Sequence, residues 1–205
     1  FGGEPLVASD VVLEIAEFAD GLCRQHDVEF HGFMTTNAFL LDQALFDHLV
    51  SLRQNSYQIT LDGWGSVHDQ VRKFSDGRGS FEQIWKNIIA AKSSKSDFSI
   101  CLRIHIRREN IENLEVLMDQ IGNEFGGDSR FTLDFQHLRD LGGDGGKSIQ
   151  LPVSRAEAKE IENRLRSRMQ SKRPKTDTRD VSISPSSDIA QSNASALKLN
   201  KVSSE

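Results

Sequence analysis

The sequence predicts an α/β protein in which parallel strands alternate with helices over residues 1–138. Three observations predict it. Helical and two-residue hydrophobic periods take turns along this stretch. They do so as repeated strand–helix units, which imply parallel strands with helices packed outside. Three of the strand-like runs also have a second face that turns polar toward its C-terminal end.

Taken in order, Val11, Val12, Ile15, Ala19, Leu22 and Cys23 recur at helical spacing behind Asp10, a plausible N-cap. Glu29 to Met34 is short and apolar, as a strand is. Leu45, Leu49 and Leu52 mark a second helix behind Asp42. Tyr57 to Leu61 alternates apolar and polar. Ser80 and Gln83 form a capping-box pattern before Ile84, Trp85, Ile88 and Ile89. Phe98 to Ile106 alternates again, Ile111 to Ile121 repeats at helical spacing, and Phe131, Leu133 and Phe135 close the series. Crossovers between parallel strands are right-handed. An open doubly wound sheet and a curled barrel both satisfy the pattern.

Beyond residue 138 the chain changes character. Asp140 to Lys147 is glycine-rich and reads as a loop. Ser154, with Glu157 three residues later, opens a charged helix to about Ser171, expected to be a solvated surface helix. Residues 172–205 are polar, with Pro174 and Pro185, and read as a disordered tail or linker. The expected organisation is thus a core at 1–138, a loop and helix at 139–171, and a tail at 172–205.

Net charge is −5, which gives no electrostatic case for nucleic-acid binding. No apolar run is long enough to span a bilayer. The two cysteines, Cys23 and Cys101, form no CxxC motif and suit a reducing cytosol. The chain starts at Phe1, without an initiator methionine or a signal-peptide pattern, and is expected to be a piece of a longer protein.

Side chains alternate faces along a strand. Tyr57, Ile59 and Leu61 therefore oppose Thr60 and Asp62, the Phe98–Ile106 apolar set opposes Cys101, Arg103 and His105, and Phe131, Leu133 and Phe135 oppose Asp134 and Gln136. Ligands of parallel α/β folds bind beyond the C-terminal strand ends. Thr60, Asp62, Arg103, His105, Asp134 and Gln136 could converge there. Pairing among themselves is the competing role, and for Asp62-Gly63 a backbone turn is another.

A set of short motifs runs along the same region. Phe1-Gly2-Gly3-Glu4-Pro5 precedes the first helix, and its glycines let backbone approach a ligand closely. Thr35-Thr36-Asn37-Ala38-Phe39-Leu40-Leu41, Ile59-Thr60-Leu61-Asp62-Gly63, His68-Asp69 with Arg72, Gly77-Arg78-Gly79-Ser80-Phe81-Glu82 and Leu102-Arg103-Ile104 follow. In this order and spacing they resemble radical S-adenosylmethionine (SAM) enzymes of the branch with a C-terminal SPASM domain, which includes anaerobic sulfatase maturases and peptide maturases.

The resemblance implies a partial (β/α)6 radical SAM barrel. It implies a 4Fe–4S cluster held by a CxxxCxxC loop, SAM on the fourth iron, and a 5′-deoxyadenosyl radical that takes hydrogen from a peptide or protein substrate. A flavodoxin or ferredoxin would supply electrons. By the same resemblance Gly2, Gly3 and Glu4 contact the methionyl amine, and Thr36 and Asn37 lie near the methionine moiety. Thr60, at a position usually held by serine, meets the carboxylate or ribose of SAM, and Asp62 shares its motif. Arg72 or Arg103 pairs with the SAM carboxylate, and the strand of Leu133 meets adenine. The sequence departs from the family in three places. No CxxxCxxC is present, Ala38 stands where a glycine is usual, and no cysteine cluster follows residue 138.

Two readings follow: a radical SAM maturase represented by a fragment, whose cysteines lie upstream of Phe1, or a non-catalytic module that keeps only the SAM-binding fold. No GxSxG, P-loop or GxGxxG motif supports a hydrolase or dinucleotide enzyme. The scattered histidines, His26 and His31 included, make no zinc pattern.

Overall fold

Alternating apolar residues make strands of Gly32–Thr36 (β1), Gln54–Leu61 (β2), Ser99–Ile106 (β3) and Phe131–His137 (β4). The computed structural model describes residues 3–137 and 153–171, which fall within one unit, Phe1–Pro174. The predicted loop at 140–147 and tail at 172–205 lie outside the described residues. The four strands form one sheet in the order β1-β2-β3-β4, and every pairing is parallel.

That order bears on a point the periodicity leaves open. When parallel strands are laid down sequentially, right-handed crossovers carry every connecting helix to the same side of the sheet. This is the winding of a barrel wall; a doubly wound sheet reverses its strand order and covers both faces.

The helices are Ser9–Gln25 (α1), Gln43–Ser51 (α2), Ser66–Val71 (α3), Phe81–Ala91 (α4), Ile111–Phe125 (α5) and Arg155–Ser171 (α6). Tyr57, Ile59 and Leu61 of β2 and Ile100, Leu102, Ile104 and Ile106 of β3 are buried in one core. Phe46 and Leu49 of α2, Ile84 and Ile88 of α4, and Leu114, Leu117, Met118 and Ile121 of α5 join them. Each fully buried aliphatic side chain contributes roughly 1.5–3 kcal/mol relative to exposure. Phe131, Leu133 and Phe135 of β4 pack against the rim of that core and are half-buried.

Several local expectations need correction. α1 begins at Ser9 after a 3-10 turn, Pro5–Ala8, so Asp10 sits in its first turn and does not cap it. The inward face of α1 is Val12, Leu13, Ala16 and Asp20, while Val11, Ile15 and Leu22 are exposed. Asp20 misleads the eye: it is buried because Arg24 and Arg53 donate to its carboxylate. The Ser80–Gln83 capping box does not form. Ser80 Oγ donates to the Arg72 carbonyl, and Asp69 Oδ1 accepts from the Ser80 and Phe81 backbone N–H groups in its place. Asp42 does cap α2, accepting from Leu45 N–H at 2.9 Å.

α6 is not a solvated helix. Ala158, Ile161 and Leu165 are buried in the main core, and Arg168 reaches Glu115 and Asp119 of α5. Its high charge is real, but Arg164 and Arg168 pair with Glu115 and Asp119 of α5 beside the buried apolar seam.

Candidate functional site

The C-terminal tips of the four strands lie side by side, and register fixes what shares a row. Thr60 pairs with Arg103, and Arg103 with Asp134. One step further along, His105 pairs with Gln136. Asp62, just past the end of β2, adjoins His105 in that row. These are the even and odd positions opposite the buried apolar set, so they occupy the face away from the core.

Asp62 is the hub. Its side chain is only 2% exposed, yet its carboxylate accepts hydrogen bonds from Arg72 Nε and, at 3.0 Å, from His105 Nδ1. Its backbone N–H donates to His68 Nδ1 at 3.2 Å. Its carbonyl accepts from Asn110 Nδ2 at 2.9 Å, and the same Asn110 group reaches the His105 carbonyl. Burial alone would raise the Asp62 carboxyl. The His105 hydrogen bond and the Arg72 charge outweigh it and hold the carboxyl well below its usual range.

The turn after Asp62 needs its glycine. Gly63 has φ +146°, and a Cβ there would meet Asn113 Oδ1 at 2.7 Å. Asn113 Oδ1 also accepts from Trp64 N–H at 2.5 Å, so α5 clamps the turn. The backbone-turn role foreseen for Asp62-Gly63 is therefore present together with the carboxylate network. α3 follows and places His68 and Arg72 against Asp62. His68 is fully buried, and burial lowers its pKa to about 4 against the pull of the Asp62 and Asp69 charges.

At the tip of β1, Glu4 closes a second cluster. One carboxylate oxygen accepts from Thr36 Oγ1 at 2.5 Å and from Leu6 N–H at 3.1 Å, and the other accepts from Asn37 N–H at 2.6 Å. Thr36 faces the core with Ile59, its register partner, and its hydroxyl also accepts from Ala38 N–H. Its polar atoms therefore serve the turn. Asn37 Oδ1 accepts from Phe39 N–H. Ala38 takes φ 61°, the left-handed conformation that glycine adopts most readily. Asn87 of α4 secures it by donating to the Ala38 and Phe39 carbonyls.

Of the sequence-selected residues, Glu4, Thr36 and Asn37 gather at β1 and Thr60, Asp62, Arg72 and Arg103 at β2–β3. Gly3 is exposed, with open space where a Cβ would stand. Gly2 lies outside the described residues. Arg103 Nε donates to Asp134 at 2.8 Å, and both side chains remain about one-third exposed. The Leu133 carbonyl is approached by Arg166 of α6 at 3.4 Å. Arg72 pairs with the buried Asp62, whereas Arg103 pairs with the partly exposed Asp134. Gln136 is exposed and donates to Asp134.

The family model of the radical SAM superfamily matches residues 1–121. The chain belongs to the radical SAM superfamily. The match runs from the glycine-rich opening through β3 and most of α5, the stretch that contains the β1, β2 and β3 tips. No curated protein matches the chain. Radical SAM membership implies SAM and a 4Fe–4S cluster in general, and the two groups fit this chain differently. The polar strand tips suit a small polar ligand. The cluster is not matched: Cys23 is on α1 and Cys101 on β3, and among the described residues no group of three His, Cys, Asp or Glu could hold a metal ion.

Sequence reading missed α3, the burial of His68, and the two asparagines, Asn110 and Asn113, that tie α5 to the β2 tip. Asn110 ends the short 3-10 turn Arg108–Asn110 that leads into α5. Nothing in a linear sequence says that its amide reaches a carbonyl forty-eight positions away.

Proposed function

We propose that this chain forms the SAM-binding wall of a radical SAM enzyme of the SPASM-containing, peptide-maturase type. The observation that carries this reading is the meeting of Glu4, Asn37, Thr60 and Arg103 at neighbouring tips of one parallel sheet. Gly3, Glu4 and Asn37 would hold the methionyl amine. Thr60 and the terminal nitrogens of Arg103 would hold the carboxylate. Asp62 and Arg72 would act on the tips, since their charges are spent on each other and on His105. The strand of Leu133 would lie along the adenine.

With a reduced cluster present, bound SAM would supply a hydrogen-abstracting radical. The substrate would be a peptide or protein, and a flavodoxin or ferredoxin would be the electron donor. The sheet would be part of a (β/α)6 barrel in a cytoplasmic enzyme. The three or four thiolates of a cluster exceed the two cysteines of these 205 residues, so they would come from outside them. That same count favours a second reading for this polypeptide by itself: a SAM-binding module with no radical chemistry of its own.

Titration calorimetry of the full chain with SAM tests the binding claim. The expected result is one site, weakened tenfold or more by Arg103→Met and less by Thr60→Val. Absence of binding, or affinity indifferent to both changes, would overturn it. Anaerobic reconstitution tests what the two readings share: the chain alone should take up no stoichiometric iron and sulfide, and stable cluster uptake would overturn both.

A further inference from the structure

Two histidines touch Asp62, and they are held in opposite tautomers. The Asp62 backbone N–H points at His68 Nδ1, so that nitrogen carries the lone pair and Nε2 carries the proton. The Asp62 carboxylate, which can only accept, faces His105 Nδ1, so there the proton is on Nδ1 and the lone pair on Nε2. The environments differ as well. His68 is fully buried and its Nε2 has no partner, so it is sealed into the β2–α3 packing. The His105 side chain is 22% exposed, lies on the open face between Arg103 and Arg107, and its Nε2 has no hydrogen-bond partner among the described residues.

Arg72 pairs with the Asp62 carboxylate beside His105. Asp134 pairs with Arg103 across the sheet. Arg107 reaches only the Asp62 carbonyl, at 3.4 Å. Asp62 and Asn110 together fix both the ring and the strand that bears it. A histidine whose Nδ1–H is tied to a buried carboxylate, with Nε2 facing open space, has the orientation that proton acceptors require.

We propose that His105 is the proton-accepting group of this site, with Asp62 as its positioning residue. Its substrate partner is a group with a transferable proton: a hydroxyl, a thiol or an ammonium. In the step, the substrate X–H bond breaks, its electron pair stays on X, and a new N–H bond forms at His105 Nε2. The resulting imidazolium lies against the Asp62 carboxylate. No oxidant or reductant enters. The inference rests on the SAM-binding reading only for the side of the sheet on which a ligand lies.

Long-range proton–nitrogen spectra of the full chain with nitrogen-15 histidine test it, with His105→Gln and His68→Gln used to assign the two rings. The expected spectrum has His105 protonated at Nδ1 and bare at Nε2, and His68 the reverse. In Asp62→Asn, His105 should lose its fixed tautomer while His68, held by a backbone N–H, keeps its own, which also reports that the variant is folded. Should that variant not fold, the wild-type spectrum alone decides the tautomer. A His105 that is protonated at Nε2, or averaged between tautomers in the wild type, overturns the proposal.

Carbethoxylation of histidines, with and without S-adenosylhomocysteine, tests the location. His105 should react, and the nucleotide should slow its modification at least fivefold. If calorimetry shows that S-adenosylhomocysteine binds but His105 reacts as fast as before, His105 does not face the site, and the SAM-binding reading survives without it. If the nucleotide does not bind, the SAM-binding reading falls and the location of this group falls with it.

Discussion

Replacing Asp62 by asparagine should destabilise the protein by about 2–3 kcal/mol at neutral pH, without removing any apolar contact. The carboxylate is 2% exposed and takes hydrogen bonds from Arg72 and His105. Removing one partner of a buried ion pair costs roughly 3–5 kcal/mol because the other charge is left uncompensated. Arg72, however, keeps 38% of its side chain exposed and can recover water, which moves the figure to the lower end. The backbone bonds of Asp62 to His68 and Asn110 survive the change. With a urea dependence of roughly 2 kcal/mol per molar, the unfolding midpoint should fall by about 1–1.5 M.

The pH dependence carries a sign. The folded pKa of Asp62 is depressed, so its contribution is present in full above the ordinary value of 3.8 and is lost as pH falls through the lower folded value. The gap between wild type and Asp62→Asn should therefore narrow below pH 3.8. Urea unfolding followed by far-ultraviolet circular dichroism at a series of pH values measures both. A difference under about 0.5 kcal/mol at neutral pH, or one that does not narrow in acid, would refute the hub as described.

Other perturbations follow from the same structure. His68 is neutral when folded, with a pKa lowered from 6.5 to about 4, so the unfolded chain binds the extra proton between those values. Stability should fall by about 3 kcal/mol as pH drops from 6.5 to 4, at roughly 1.4 kcal/mol per unit, and His68→Gln should flatten that slope in the same unfolding series. Leu165→Ala, at a fully buried α6 position, should cost about 2–5 kcal/mol in urea unfolding, whereas a solvated helix would lose almost nothing. Asp69→Ala should cost about 1–2 kcal/mol by uncapping α4, and Ser80→Ala less, as thermal unfolding of the two variants would report.

How much of this was legible before the structure depends on the kind of interaction. β2 and β3 were readable because one face of each is uniformly buried, so the two-residue period is uninterrupted from Tyr57 to Leu61 and from Ile100 to Ile106. Their polar face was readable for the same reason, and it placed Thr60, Arg103 and His105 together. The face of α1 was not: it has a second apolar stripe in the open, Val11, Ile15, Phe18 and Leu22, while its core side includes a charged residue. The α6 seam was hidden because three apolar positions among many charges give a weak signal, and the ion pairs to Glu115 and Asp119 that accompany it are long-range. Thr36, Thr60 and Asp62 lie at or just past the ends of β1 and β2, but their partners were not foreseeable. Glu4 binding Thr36 and Asn37, and Asp62 binding Arg72 and His105, join segments ten to forty-three positions apart.

The account stands on the claim that SAM sits across the C-terminal tips of β1 to β4. Amide hydrogen exchange of the full chain, with and without saturating SAM, tests it most directly. Exchange should slow at residues 36–39, 60–65, 103–108 and 134–137 and stay unchanged at the strand starts near Gln54, Ser99 and Phe131. Protection confined to those starts or to α6, or no protection anywhere, would contradict it.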